Sequence, residues 1–262
     1  MITGGTSGIG LACAQKFYHE GYQVVITGRD ESRLSAAMAS MSKAPNTAVG
    51  MKADVSIEED CKRVVQTTLD KYGRIDVLIN NAGISMRALF EDLDLKVIRQ
   101  VMDTNFWGAV YCTKYALPSI LANKGSVVGV SSIAGKKGLP GRTGYSSSKF
   151  ALEGFLETLR TENLKKDLHV LVACPGFTAS RIRQTALAAN GHVQGESPRD
   201  EQKMMSAEEV ANAIFVAVKK RKRDLILTFN GKLTVFLNKI IPGWLDKIVY
   251  NHMAKEPDSP FK

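Results

Sequence analysis

Tyr145 and Lys149 combine residue types and a spacing that suit proton transfer. They head an apolar run, Phe150-Ala151-Leu152-Glu153-Gly154-Phe155-Leu156, that reads as a buried helix. Helix positions i and i+4 share one face about 5–6 Å apart, which would hold the Lys149 ammonium beside the Tyr145 phenol. A free phenol titrates near about 10 and is a poor general base at neutral pH. Bringing it to about 7 takes about 4 kcal/mol of preference for the phenolate. One ammonium at that distance supplies roughly 3 kcal/mol at an effective dielectric of about 20. An exposed Tyr and Lys one turn apart would show the same spacing, so the surroundings decide.

The N-terminus offers a site for an anion. Met1-Ile2-Thr3 reads as a short strand, and it runs into Gly4-Gly5-Thr6-Ser7-Gly8-Ile9-Gly10 and an amphipathic helix from Leu11 to Glu20, stopped by Gly21. A strand, a glycine turn and a helix N-terminus turn backbone N–H groups and the helix dipole toward a phosphate. The glycines let the chain approach a pyrophosphate and let the helix pack on the sheet. The first strand is short as written, which fits either a chain that begins upstream of Met1 or a clipped first strand. A second strand, Gln23–Thr27, ends at Gly28-Arg29-Asp30. A carboxylate at this tip would bond a free ribose 2′-OH, whereas a guanidinium would pair with a 2′-phosphate. Gly28 followed by Arg29, with Arg33 one turn on, favours NADP(H) over NAD(H). Asp30 reads as the cap of the helix Glu31–Met41.

Ser132 lies thirteen positions before Tyr145, and Lys149 four after it; this pattern resembles the signature of the short-chain dehydrogenases/reductases. Thr3-Gly4-x-x-x-Gly8-x-Gly10, Asn80-Asn81-Ala82-Gly83 and Asn105 extend the resemblance, which covers about residues 1–228. It implies a nicotinamide cofactor and a carbonyl/alcohol redox reaction. In reduction, Tyr145 gives a proton to the carbonyl oxygen, and Ser132 orients and polarises the carbonyl. Lys149 lowers the Tyr145 pKa, helped by an oxidised nicotinamide, and bonds the nicotinamide ribose. Asn105 holds a water that returns the proton. The resemblance also places Asp54, followed by Val55, at the adenine amino group. It passes Asn81, Ala82 and Gly83 under the cofactor and sets Pro175, Gly176, Phe177 and Thr178 beside the nicotinamide, with Thr178 on the carboxamide. It implies no metal, and an assembly of two or four copies through the helices bearing Asn105 and Tyr145.

Short apolar segments alternate with helical patterns of ten to twenty residues, the sequence sign of βαβ units and a parallel sheet. A strand at Ala48–Lys52 leads to a helix Ile57–Tyr72, capped by Ser56 with Glu59 completing a capping box. A short strand over 73–79 follows, then two helices within Leu89–Asn123 broken near Thr104-Asn105. Gly125–Ser132 is a strand ending in two serines; Ser131, one residue earlier than Ser132, would point the other way. Strand C-terminal ends are where open α/β sheets bind ligands. The loop 133–144 can bring Ser132 to Tyr145. A strand His169–Ala173 runs into Cys174-Pro175-Gly176, and a helix capped by Ser206 precedes a last strand, Asp224–Thr228. The expected fold is α/β: one Rossmann-like doubly wound parallel sheet over 1–228, with a substrate lid at about 179–205 and a helical C-terminal extension over 229–262.

The whole chain sets limits. Its 262 residues are 44% hydrophobic, ordinary for a globular protein with a core. No apolar run approaches the ~20 residues of a membrane span, and no basic-then-apolar leader opens the chain. Cys13, Cys61, Cys112 and Cys174 lie far apart, which fits a reducing cytosol rather than zinc or a disulfide framework. The expected location is cytoplasmic. Residues 219–255 carry nine Lys/Arg against Asp224 and Asp246, a local balance of +7 within the overall +9. Lys219–Arg223 reads as a solvated helix end beside a favourable dipole, not as a nucleic-acid patch. Leu233, Phe236, Leu237, Ile240, Ile241, Trp244, Leu245, Ile248 and Val249 recur at helical spacing, with Lys232, Lys239 and Lys247 off the stripe and Pro242 splitting it. Such a stripe covers a substrate cleft or a dimer seam, or lies on a membrane surface through residues 232–252. Each case surrounds the substrate with apolar groups, so the expected substrate is a lipophilic ketone, aldehyde or alcohol. Ketoreduction on an acyl-carrier protein is one alternative; a non-catalytic NADP(H) sensor or scaffold on the same fold is another.

Overall fold

A computed structural model describes residues 1–41, 48–179, 181–195, 204–256 and 259–261. Its centre is a parallel sheet of β1 (Val24–Gly28), β2 (Ala48–Lys52), β3 (Val77–Asn80), β4 (Ser126–Val130), β5 (His169–Cys174) and β6 (Asp224–Ile226). Residues 1–3 bridge β1 and β3. Ile2 N donates to Val25 O at 2.8 Å, Thr27 N to Ile2 O at 3.1 Å, Ile79 N to Met1 O at 2.9 Å and Thr3 N to Ile79 O at 3.0 Å. The sheet therefore reads β2, β1, residues 1–3, β3, β4, β5, β6, and the strand order reverses at residues 1–3. That reversal is where open sheets of this kind leave a crevice.

Both faces are covered, and the strands show it by strict alternation. Ile26, Ile79, Val128 and Leu171 face one core with α1 (Gly8–His19), α2 (Glu31–Ala39) and α7 (Ala207–Lys219). Val25, Leu78, Val127 and Val170 face the other, with α3 (Glu58–Tyr72), α5 (Gly108–Ala122) and α6 (Thr143–Glu162). This is the doubly wound α/β architecture expected.

Local differences have local causes. Helix α1 begins at Gly8 rather than Leu11, so its first turn is part of the glycine loop. The capping box expected at Ser56 does not form: Ile57 occupies the cap position. The Ser56 hydroxyl instead donates to Asp54 Oδ1 at 2.7 Å, and its N–H to the same oxygen at 3.0 Å. The box at Ser206 does form, with Glu209 N on Ser206 Oγ at 3.1 Å and Ser206 N on Glu209 Oε2 at 2.8 Å. The break expected near Asn105 is a π-helical turn, Asp103–Trp107, between α4 (Leu95–Met102) and α5.

Pro242 divides the tail into α8 (Phe229–Ile240) and α9 (Pro242–Ala254). Of the expected apolar stripe, Leu245 is buried, while Leu233, Phe236, Ile240, Ile241, Trp244 and Ile248 are exposed. The tail is held by polar clamps instead. Asn238 Nδ2 donates to Lys136 O at 3.0 Å, Lys137 pairs with Asp246, and Arg87 pairs with Glu256 at 3.5 Å with both side chains buried. The described helices include none long and apolar enough to cross a membrane. Within the lid region, Leu187 bridges Met86 and Val193, and Thr178 bridges Met205; Ser180 and residues 196–203 lie outside the described residues.

Candidate active site

The glycine loop owes its shape to close backbone approach. Gly4 has φ +64° and Gly8 φ +51°, a left-handed region that favours glycine. A Cβ on Gly10 would lie 2.2 Å from Gly4 O and 2.3 Å from Asn81 Nδ2. Asn81 Nδ2 donates to Thr3 O at 3.0 Å and to Gly4 O at 3.1 Å, while the N–H groups of Asn81 and Ala82 each donate to Thr3 Oγ1 at 3.0 Å. The Asn81-Ala82-Gly83 segment thus locks the loop in place. The N-terminus of α1 has no side-chain cap and no acidic residue in its first turn. Helices α3 and α7, by contrast, carry acidic first turns. The cradle fits a dinucleotide pyrophosphate in both shape and charge.

One cleft of about 750 Å³ opens at the carboxyl ends of the strands and collects most of the expected residues. Gly4, Thr6, Ser7, Gly8 and Ile9 line one end with Arg29, Arg33, Asp54 and Val55; Asn81, Ala82 and Gly83 form its floor. Ser132, Tyr145, Lys149 and the run Pro175, Gly176, Phe177, Thr178 line the other end. Gly10 and Asn105 are buried behind the wall. Arg29 reaches across this end of the cleft to Asp54 at 3.7 Å and remains mostly exposed. Arg33 pairs with Asp30 at 3.6 Å. Asp30 also accepts from Arg33 N at 3.0 Å, the expected cap of α2. Thr178 is buried, and its hydroxyl donates to Gly176 O at 3.1 Å. A separate hollow of about 570 Å³, between Lys137–Pro140 and Asp246–Asn251, holds none of these residues.

Ser132 sits just past β4, and its hydroxyl accepts from Ala134 N at 3.1 Å. It lines the cleft with Tyr145 and draws the Tyr145 pKa down. Lys149 Nζ lies 5.8 Å from the centre of the Tyr145 ring, as the i, i+4 spacing requires, and donates to Val130 O at 2.8 Å. The expected lowering of the Tyr145 pKa is outweighed here. Burial pushes the phenol above its ordinary value, against the downward pull of Ser132, Arg142 and Arg183. Burial also draws the Lys149 ammonium down to about 8, with Cys174 and Glu153 pulling the other way. Cys174 is itself pushed up to about 12, chiefly by burial, the state of a packed and unreactive thiol.

Asn105 is tied on both sides of its amide. Its Oδ1 accepts from Ile84 N at 2.8 Å, and its Nδ2 donates to Ile84 O at 2.9 Å and Ser148 Oγ at 2.9 Å. With its amide so engaged, the side chain clamps the strand-end segment to α6. Ser148 completes that clamp by donating to Tyr145 O at 2.7 Å. Sequence reasoning gave no role to Ser148 or Ile84, although Ser148 lies inside the Tyr145–Lys149 segment. It also passed over Arg142 and Arg183, whose distance in sequence from the cofactor loop gave no signal.

A family model described as short chain dehydrogenase matches residues 1–191. The chain is 35% identical over 265 residues to "Dehydrogenase/reductase SDR family member 7B" of Mus musculus, covering 99% of this chain and 82% of that protein. It is 40% identical over 187 residues to "11-beta-hydroxysteroid dehydrogenase 1A" of Arabidopsis thaliana, covering 70% and 53%. Among solved structures, a short-chain dehydrogenase from Streptomyces avermitilis superposes with TM-score 0.79 at 27% identity, over 95% of this chain and 93% of that one. An alcohol dehydrogenase from Thermococcus sibiricus, complexed with 5-hydroxy-NADP, superposes with TM-score 0.76 at 23% identity, over 86% and 94%. The chain belongs to the short-chain dehydrogenase/reductase family of oxidoreductases, which use a nicotinamide cofactor.

Proposed function

We propose that this protein is an NADP(H)-dependent reductase of lipophilic ketones or aldehydes, with Tyr145, Ser132 and Lys149 as its catalytic residues and Asn105 as their structural anchor. The observation that carries the reading is that Ser132, Tyr145 and Lys149 meet at one end of a cleft whose other end is an uncapped, glycine-lined helix N-terminus. Gly4, Thr6, Ser7, Gly8 and Ile9 would hold the pyrophosphate, Asp54 and Val55 the adenine, and Arg29 the 2′-phosphate. Pro175–Thr178 would flank the nicotinamide. NADPH supplies the hydride when bound.

The remaining chemistry is that of the side chains. Ser132 donates to the carbonyl oxygen and steadies the charge that builds there. Tyr145 delivers the proton; its raised pKa keeps the phenol protonated at neutral pH, the form reduction uses. Lys149 supplies a cation beside the phenolate that forms. Ile84, Leu139, Ile182, Leu187 and Val193 line the cleft with these groups and favour an apolar substrate. Trp107, at the start of α5, and Phe150, within α6, are 43% and 48% exposed and mark the seam for a second copy. Residues 229–262 form an extension of the one domain, and the exposed apolar groups of 232–252, beside Lys232, Lys239 and Lys247, suit a lipid surface.

The test is NADPH and NADH oxidation with ketones and aldehydes graded by chain length. Turnover with NADPH that rises with apolar length supports the reading. Activity confined to acyl thioesters would move it to ketoacyl reduction, and tight NADPH binding without any turnover would move it to a sensor.

A further inference from the structure

Glu153 is an acidic residue in the middle of a buried helix face, one turn beyond Lys149, and the reaction described above does not use it. Its side chain is only 10% exposed. Ser131 Oγ donates to Glu153 Oε1 at 2.5 Å, Lys136 Nζ pairs with Oε2 at 2.7 Å, and Cys174 Sγ donates to Oε1 at 3.5 Å. The space is made for the carboxylate: a Cβ on Gly135 would lie 2.4 Å from Glu153 Oε1 and 2.6 Å from Ser131 Oγ. Buried carboxylates are costly unless paired and hydrogen-bonded, and this one is both.

The arrangement ties two catalytic elements together. β4 ends at Val130 and runs on into Ser131-Ser132. Val130 O holds Lys149, Ser131 holds Glu153 one helical turn on, and Ser132 lines the cleft with Tyr145. We propose that Glu153 is a positioning residue: it fixes α6 to the end of β4 through Ser131, and its charge, set against that of Lys136, keeps Lys149 an ammonium beside Tyr145.

The surroundings of Lys149 single out Glu153. Facing the ammonium are Tyr145 and Glu153 on its own helix, Cys174 at the end of β5, the Val130 carbonyl at the end of β4, and the uncharged Asn105 near Gly83; Arg142 and Arg183 act on the Tyr145 phenol. The Cys174 thiol is neutral where Lys149 titrates, because its own pKa is about 12. Glu153 is thus the anion that opposes the loss of the Lys149 proton. Lys136 pairs with the other oxygen of that carboxylate and carries the opposing charge.

That geometry predicts opposite effects from the two halves of one ion pair. Glu153→Gln keeps the shape and an acceptor for Ser131 but removes the anion, so Lys149 should lose its proton at lower pH. Lys136→Gln removes the cancelling cation, so Lys149 should hold its proton to higher pH. Each shift should be about half to one pH unit for single charges a helical turn or so away in a partly screened site. The readout is the 13Cε-lysine NMR titration of the protein without cofactor, with Lys149 assigned by its loss in Lys149→Arg. It is followed by the pH dependence of turnover, whose alkaline limb should move in the same two directions. The proposal rests on the reductase reading for its meaning. The NMR titration does not, so an inactive protein with oppositely shifted midpoints would count against the reductase and not against the charge relay. Midpoints that stay put, or that move the same way in both variants, would show a merely structural ion pair and overturn the proposal. Should Glu153→Gln fail to fold, the partly exposed Lys136→Gln decides alone: a raised midpoint supports the proposal, and an unmoved or lowered one overturns it.

Discussion

The sheet and the two C-terminal helices carry apolar residues at regular spacing and dispose them oppositely. Ile26, Leu78, Ile79, Val127 and Leu171 are closed off from solvent, and the strand ends they support carry the glycine loop, Ser132 and the Asn81 lock. Phe229, Phe236, Ile240 and Trp244 are 78%, 59%, 60% and 56% exposed, and α8 and α9 are clamped by Asn238, Asp246 and Glu256 rather than by their apolar stripe. The difference separates two jobs. The sheet half spends its apolar surface on holding polar groups in fixed geometry. The tail keeps apolar surface available while its polar contacts fasten it to the loop between Ser132 and Tyr145.

The sharpest way to press on the sheet half is Lys149. Its folded pKa of about 8 lies below the ordinary 10.5, so the unfolded chain binds more protons between those values. Stability from this group therefore rises with pH from about 8 to about 10.5. Below about 8 the full cost of burying the ammonium applies, about 3 kcal/mol. Lys149→Met removes that cost but leaves Val130 O unpartnered, at about 1–3 kcal/mol. The expected outcome at pH 7 is turnover reduced by about 100-fold or more, with stability unchanged or raised by up to about 2 kcal/mol. A large drop in unfolding temperature would mean that the lysine is there for stability. A smaller effect is expected at the adenine end: Arg29→Asp should lower the preference for NADPH over NADH by about 10- to 100-fold, the worth of a charge-assisted contact, read from the ratio of kcat/KM values. The least effect on the fold is expected in the tail. Phe236→Ser with Trp244→Ser should leave unfolding within about 0.5 kcal/mol of the parent, since exposed side chains lose little, while binding to anionic vesicles falls. A tail change that destabilised the protein strongly would erase the contrast between the two regions.

What the sequence reveals follows from which interactions are local. The glycine loop, the alternation of the strands, the Ser206 capping box and the split at Pro242 depend on neighbours in the chain, and each is visible in it. The face of the tail stripe is not, because periodicity defines a face without saying what it meets. The π-turn shows only as a weakness near Thr104-Asn105. That Asn105 spends its amide on Ile84 and Ser148 depends on a segment twenty-one residues away. The i, i+4 spacing places Lys149 over the Tyr145 ring, but the pKa of the phenol depends on burial by the whole fold, which outweighs the pull of Ser132, Arg142 and Arg183. Glu153 lies in the same helical register as Lys149, yet its partners Ser131, Lys136 and Cys174 come from other elements.

The most direct test of the reductase account compares the parent with Tyr145→Phe, measuring NADPH binding by fluorescence and NADPH oxidation with an apolar ketone in the same preparation. The account predicts that binding stays within about two-fold while turnover falls by about 100- to 10,000-fold, the contribution of a positioned general acid. Turnover in the variant within ten-fold of the parent's would contradict it.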